Sequence, residues 1–433
     1  MTHIITSLLW AYLIFFLASF AATNHQLRIN NRVIGYSVIL LVLIVAVHTP
    51  VFTPYWFGIE YEDAFEYIYA GKFIASDSIA QSTGLNSVCL VGNIGQCNLH
   101  GSLAHPSGLS ILLSYLTQLF GFQLFIGNIV SVISTFISSY LIYIILGHSG
   151  ITQRIRYLTS GLYLFSAGTI VFGNTSLAEP VSALLIVSTI WATVDILKYQ
   201  NKSAYYYLFR ALFLVSAVIL SALVKRESLI IIPSLILFFF VSSIYYIDKP
   251  YIRKYLFIVI ASVSFSLLVI ISFFIDILLN FESVNPSSEA SFSFQYISKW
   301  GFYYVKVLFS EKYFMLSVPA LIGMANITRS PIALISAIYF CGYTMLFISF
   351  SQSYYAVMYG EIPIFHFERY SVQILPVIAL IAAFGLQRIF IKYEYLLYSS
   401  KKSFLTAFFL VSAPVIFSLY IVTSPPELAP LLR

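Results

Sequence analysis

The chain has 433 residues, of which 60% are hydrophobic and only 9% charged, with a mean hydropathy of +0.89. An ordinary soluble domain carries about 25% charged residues, so a water-soluble globule is excluded, and so is disorder, which needs low hydrophobicity and high charge. The net charge of +6 comes from 23 basic residues spread thinly along the chain, which is no footprint for nucleic acid.

The class that remains is an all-α polytopic membrane protein. A spanning helix needs about 20 apolar residues. Stretches of that kind lie near 4–22, 33–51, 122–147, 157–173, 181–197, 211–224, 229–246, 255–279, 313–326, 331–349, 370–387 and 404–423, which makes about 12 transmembrane helices. The apolar stretch 108–121 is short for a span, starts from His105-Pro106 and ends at Gly121, and fits a juxtamembrane or re-entrant helix better.

Charge sorting supports that choice. With the loop 23–32 in the cytoplasm and 108–121 not crossing, 15 of the 23 basic residues fall inside and 14 of the 17 acids outside. Cytoplasmic loops carry the excess of Lys and Arg, and letting 108–121 cross would collapse the asymmetry. A cleaved signal peptide ending near Ser19-Phe20-Ala21-Ala22 is disfavoured, because Met1 to Ser7 carry no Lys or Arg and cleavage would reverse the sorting. The reading is one integral membrane domain over 1–433, in the plasma membrane of a bacterium. Its long extracytoplasmic segments are 52–121, 280–312 and 350–369. Function is expected there, since the inner connectors are short.

The first outer loop opens with Glu60-Tyr61-Glu62-Asp63-Ala64-Phe65-Glu66. As a helix over 62–73, it would place Phe65, Ile68, Tyr69 and Phe73 on one apolar face. Clustered carboxylates suit a general base or a divalent cation with oxygen ligands; the alternative is a solvated loop. Cys89 and Cys97 share this loop, where an oxidising compartment allows either a disulfide or two free thiols. Cys341 lies within a span and reads as a packing residue. His105 enters the short apolar segment and is either structural or a contact to a phosphate or substrate.

Three more clusters lie on the outer side. Glu179 sits at the mouth of a span, Lys225-Arg226-Glu227-Ser228 ends one, and Glu368-Arg369-Tyr370 begins another. Ionisable groups at the membrane edge mark functional sites by default. Lys225 and Arg226 break the charge rule, so they are placed either to bind an anion such as a lipid phosphate or to snorkel to headgroups.

In this order, the elements resemble the membrane glycosyltransferases of the C-type fold, which include protein O-mannosyltransferases and lipid A aminoarabinose transferases. Members carry an acidic pair in a long first outer loop, of the form Asp-Glu-Ala-Tyr or Asp-Asp-Ala-Tyr; Glu62-Asp63-Ala64-Phe65 stands in that place, followed by Ala70. His105-Pro106-Ser107-Gly108-Leu109 through Phe120-Gly121 is similar to their His-Pro-Pro-Leu and juxtamembrane helix. Glu179 matches an acid at the start of a later span, Lys225 through Pro233 a basic residue before an apolar run, and Arg369-Tyr370 through Pro376 an Arg-Tyr segment. The likeness covers roughly residues 33–390. It departs at Glu62, usually Asp, at Ser107, usually Pro, and in the additional span 4–22.

The resemblance implies transfer of a sugar from a polyprenyl-phosphate donor to a hydroxyl of a glycan, lipid or protein acceptor, with inversion. Glu62 or Asp63 would be the general base, and Lys225, Arg226, Arg369 and His105 would hold the donor phosphate. Some members use a divalent cation, Mg or Mn here, for which Glu62, Asp63 and Glu179 would supply carboxylates. Competing readings are a lipid-linked saccharide flippase, an O-antigen polymerase or ligase, and a membrane protein without catalysis. A flippase predicts mid-span ionisable residues and a paired repeat, and no repeat is visible.

Overall fold

The computed structural model describes residues 2–24, 67, 68, 71, 72, 108–123, 125–173, 176–198, 203–245, 257–271, 295–310, 313–350 and 370–397. Among these residues every regular element is helical. The elements are α1 (Thr2–Asn24), α2 (Gly108–Phe120), α3 (Ile126–His148), α4 (Gln153–Leu164), α5 (Ala167–Phe172), α6 (Ala178–Lys198) and α7 (Ala204–Val224). A 3-10 turn, Arg226–Ile230, leads to α8 (Ile231–Tyr245), then α9 (Phe257–Ile271), α10 (Gln295–Leu308), α11 (Phe314–Gly323), α12 (Pro331–Phe350) and α13 (Leu375–Leu397).

Four described helices are long and apolar enough to cross a membrane: Ile126–His148, Ala178–Lys198, Ala204–Val224 and Pro331–Ser349. Shorter apolar helices accompany them, including Gly108–Phe120. The expected spans 33–51 and 404–423 lie outside the described residues.

Helix α6 is the axis of the fold. It is apolar all round, and every residue from Ala178 to Leu197 is buried, as a helix without a polar face must be. Its ends obey helix electrostatics, with Glu179 and Pro180 in the first turn and Lys198 in the last. On its flanks pack α3 and the antiparallel α7, while α12 and α13 cover the rest and α1 rides on α7. Apolar side chains of the outer helices stay exposed, among them Phe15, Ile133, Phe209, Phe240 and Phe265, as suits surfaces facing lipid.

Two departures from the sequence reading have local causes. The span expected over 157–173 is two helices, α4 and α5. Ser166 breaks it: its backbone is extended (φ −65°, ψ 140°) and its hydroxyl accepts the Thr169 N–H, starting a new helix. Within 280–312, expected as a loop segment, a helix forms, α10, with Tyr304 and Val307 buried while Phe302 and Val305 are exposed.

Close packing depends on small residues. Helices α11 and α13 cross where Gly323 meets Gly385: a Cβ on either would run into the partner's backbone, at Ile381 O or Pro319 O. Such backbone approach is how helices associate where lipid removes the hydrophobic drive.

Candidate functional site

The α6–α7 pair builds the site at one end of the bundle. Helix α7 closes at Val224, and Lys225 leaves in extended geometry (φ −152°, ψ 124°) with its N–H on Ser221 O. That extension points the side chain across to the first turn of α6. The Lys225 ammonium donates to Glu179 Oε1 at 2.7 Å, with Glu179 fully buried and Lys225 6% exposed. The ring of Tyr370 lies 4.4 Å from Lys225 Nζ, a cation–π contact. Two residues assigned separate tasks from the sequence are therefore each other's partners.

A polar network continues from this pair. The Ser182 and Ser228 hydroxyls meet at 2.6 Å, Gln373 Nε2 donates to Ser228 Oγ at 2.8 Å, and the Tyr343 hydroxyl donates to Gln373 Oε1 at 3.2 Å. These groups are buried and mutually satisfied, so the network holds a fixed geometry. Rings at a helical spacing of four form one wall: Tyr339, Tyr343 and Phe347 stack along α12 at centroid distances of 6.0 and 6.2 Å, and Phe347 meets Tyr370 at 4.8 Å. Ser182, Gln373, Tyr339 and Tyr343 escaped the sequence reading. Gln373 lies within the Arg369–Pro376 segment, and the tyrosine spacing of four is the signal that points to one face.

Helix α2 is docked against the same end. A Cβ on Gly108 would lie 2.5 Å from Leu223 O, so the start of α2 touches the backbone of the last turn of α7. Residues 67, 68, 71 and 72 are helical, with Tyr67 and Ile68 buried. A Cβ on Gly71 would sit 2.9 Å from Leu113 Cβ and 3.1 Å from Ser110 O of α2. Contacts thus run from Gly71 to α2 and from α2 to the residues just before Lys225. Helix α2 ends where Gly121 takes φ 76°, a conformation that favours glycine.

Of the other expected site residues, Glu62, Asp63, Cys89, Cys97, His105 and Arg369 lie outside the described residues, as do Phe65, Tyr69 and Phe73. The backbone of Arg226 opens the 3-10 turn. Cys341 is on the exposed face of α12 rather than in the packed core, because that face of the helix looks outward. Among the described residues no three His, Cys, Asp or Glu lie together as metal ligands. Glu179 suits a divalent ion poorly: one carboxylate oxygen already receives the Lys225 ammonium, whose charge repels a second cation. No step below passes through a metal.

The opposite end of α6 carries a second buried cluster. Asp195 Oδ2 accepts from Arg210 Nε at 2.6 Å and from the Tyr206 hydroxyl, and His148 Nε2 lies 3.6 Å from Asp195 Oδ1. The Arg210 guanidinium also makes cation–π contacts with the rings of Trp191 and Phe16, at 4.5 and 4.7 Å.

No protein-family model matches the sequence, and no curated protein matches it. A crystal structure of the Archaeoglobus fulgidus oligosaccharyltransferase, in complex with zinc and sulfate, is similar over 73% of this chain and 45% of that one, at 13% identity and a TM-score of 0.42. A second structure of that protein, tethered by a disulfide bond to an acceptor peptide containing the NVT sequon, is similar over 83% of this chain and 50% of that one, at 13% identity and a TM-score of 0.32. This chain spans about half the length of that oligosaccharyltransferase.

Proposed function

We propose that the chain is a membrane glycosyltransferase that moves a sugar from a polyprenyl-phosphate donor to an acceptor hydroxyl on the extracytoplasmic side. The observation that carries this reading is the buried Lys225 ammonium, fixed by Glu179 and Tyr370 next to the docked helix α2. Three further cations adjoin this cluster in sequence: Arg226 follows Lys225, Arg369 precedes Tyr370, and His105 stands three residues before Gly108. The acids Glu62 and Asp63 stand just before the segment 67–72 that rests on α2.

The chemistry follows from these groups. The donor phosphate lies against Lys225, Arg226 and Arg369, which stabilise the charge that develops as it leaves, so the leaving group needs no proton. Glu62 or Asp63 accepts the proton of the acceptor hydroxyl, whose oxygen forms the new bond to the anomeric carbon as the bond to phosphate breaks. Glu179 is a positioning residue: it holds Lys225 in place and touches neither substrate. Tyr370 and the rings of α12 offer a wall on which a sugar or prenyl unit packs.

The test is transfer from a synthetic polyprenyl-phosphate sugar by the purified full chain in proteoliposomes. Loss of transfer in Glu62→Gln or Asp63→Asn with normal expression is expected, as is weakened donor binding in Arg226→Ala. Full transfer in both acid variants would sink the mechanism, and unchanged donor affinity in Arg226→Ala and Lys225→Ala would leave Lys225 as the structural partner of Glu179 alone.

A further inference from the structure

At the end of the bundle opposite Lys225, where α3, α6 and α8 finish and α12 begins, lies a cavity of about 200 Å³. One water needs roughly 10–15 Å³, so the space takes a polar group of several heavy atoms. His148, Ser149, Lys198 and Ser242 supply its polar lining, and Val194 and Phe238 belong to its apolar wall. We infer that this cavity binds an anionic phosphate group, with a lipid headgroup as the ligand that fits its mixed lining.

Charge favours an anion there. Asp195 is the acid beside the cavity, and Arg210 meets it at 2.6 Å, so its charge is compensated within the cluster. Lys198 stands at the exposed end of α6, and both Lys198 and Arg156 act electrostatically on His148. The C-terminal ends of α3 and α6 bring partial negative charge, which Lys198 meets at the last residue of α6. Helix α12 begins at the cavity with Pro331 and Ile332 and presents its positive end.

An independent observation is the Ser242 hydroxyl. Its residue is 1% exposed on the wall of the cavity, and its oxygen has no hydrogen-bond partner. A buried hydroxyl in that condition is costly unless something satisfies it, and a phosphate oxygen accepts its proton. Ser234, two turns earlier on the same helix, instead returns its hydroxyl to Ile230 O at 2.7 Å, whereas Ser242 lines the cavity. Apolar Val194 and Phe238 beside the polar group match a ligand that is charged at one end and hydrocarbon at the other.

The experiment places the full chain in nanodiscs of phosphatidylcholine with a minor fraction of phosphatidylglycerol and counts retained lipids by native mass spectrometry. Wild type retains phosphatidylglycerol selectively. Lys198→Ala, at an exposed position, and Ser242→Phe, which fills the cavity, each lower that retention about tenfold or more, while Arg388→Ala, an exposed cation at the same end, leaves it unchanged. A second arm adds inorganic phosphate to protein in pure phosphatidylcholine and follows thermal stability. Selective lipid retention supports the headgroup as the source; stabilisation by phosphate alone, lost in the same variants, supports a soluble source of the same chemistry. Equal behaviour of wild type and both variants in both arms overturns the site. Sugar transfer is not read in either arm, so the result stands or falls apart from the transferase reading.

Discussion

Glu179 and Lys225 meet at 2.7 Å across 46 residues of sequence, and they clasp the first turn of α6 to the end of α7. The other end of the same antiparallel pair is clasped by Asp195 and Arg210 at 2.6 Å. Each clasp takes its acid from α6 and its base from the α7 side. The two acids are sixteen residues apart, about 24 Å at about 1.5 Å per residue, close to the length of the helix. A slip of one turn between α6 and α7 would leave both acids and both bases buried without their partners, so the two pairs set register as much as they add stability.

Breaking the Glu179–Lys225 clasp from one side should therefore cost more than removing it whole. Glu179→Gln leaves the Lys225 ammonium buried, and about 3–5 kcal/mol of stability should go. The double variant Glu179→Gln with Lys225→Met should recover most of that loss in thermal unfolding in detergent. Additive losses in the double variant would show that the two side chains do not depend on each other.

At the Asp195–Arg210 clasp, Arg210→Lys keeps the charge yet should still destabilise. The guanidinium bonds Asp195 while sitting over Trp191, Phe16 and Tyr206, with ring centroids 4.5, 4.7 and 5.1 Å away. An ammonium makes the ion pair but not all of these ring contacts, so a loss of about 1–2 kcal/mol is expected. Unfolding equal to wild type would mean that charge alone is what Arg210 supplies.

Much of this architecture was legible from composition and hydropathy, because in lipid a long apolar run has few options other than a helix. The span near 181–197 shows how well this works, and it also shows the limit. Hydropathy locates α6 but says nothing of its being the buried axis, which depends on what surrounds it. The break at Ser166 escaped because a serine inside an apolar run normally returns its hydroxyl to the preceding turn; here an extended backbone turns it into a cap. The cations Lys225 and Arg226 stood out as exceptions to charge sorting. Their pairing did not, since the partner of Lys225 lies 46 residues away and only the antiparallel packing of α6 and α7 joins them. The pairing of Asp195 with Arg210 is hidden from the sequence for the same reason.

The crossing of α11 and α13 leads to a third expectation. Gly385→Ala places a methyl against Pro319 O, and Gly323→Ala places one against Ile381 O. Each should cost about 1–3 kcal/mol through forced backbone shifts, seen as a lower midpoint in thermal unfolding. Gly161→Ala is the internal comparison, since a Cβ there meets nothing within 4 Å, and in mid-helix it should stabilise by about 0.5–1 kcal/mol. Equal shifts at all three positions would deny the close approach its part in holding the helices together.

The docking of α2 ties the fold to the proposed reaction. Gly108→Val would drive its side chain into Leu223 O, 2.5 Å from a Cβ at that position, and so lift the start of α2 from the end of α7. Leu109 of α2 and Leu223 of α7 belong to the packed core, so unfolding should shift by about 1–3 kcal/mol, as at Gly385. Sugar transfer should fall about a hundredfold, because a displacement of about 1 Å at a reacting centre costs that much. Gly121→Ala separates the two effects. It strains a residue at φ 76° by about 1–2 kcal/mol, yet its Cβ meets nothing within 4 Å, so the docked face stays intact. Transfer that survives Gly108→Val, or that falls equally in Gly121→Ala, would mean that the contact between α2 and α7 does not align the acids of the first outer loop with Lys225.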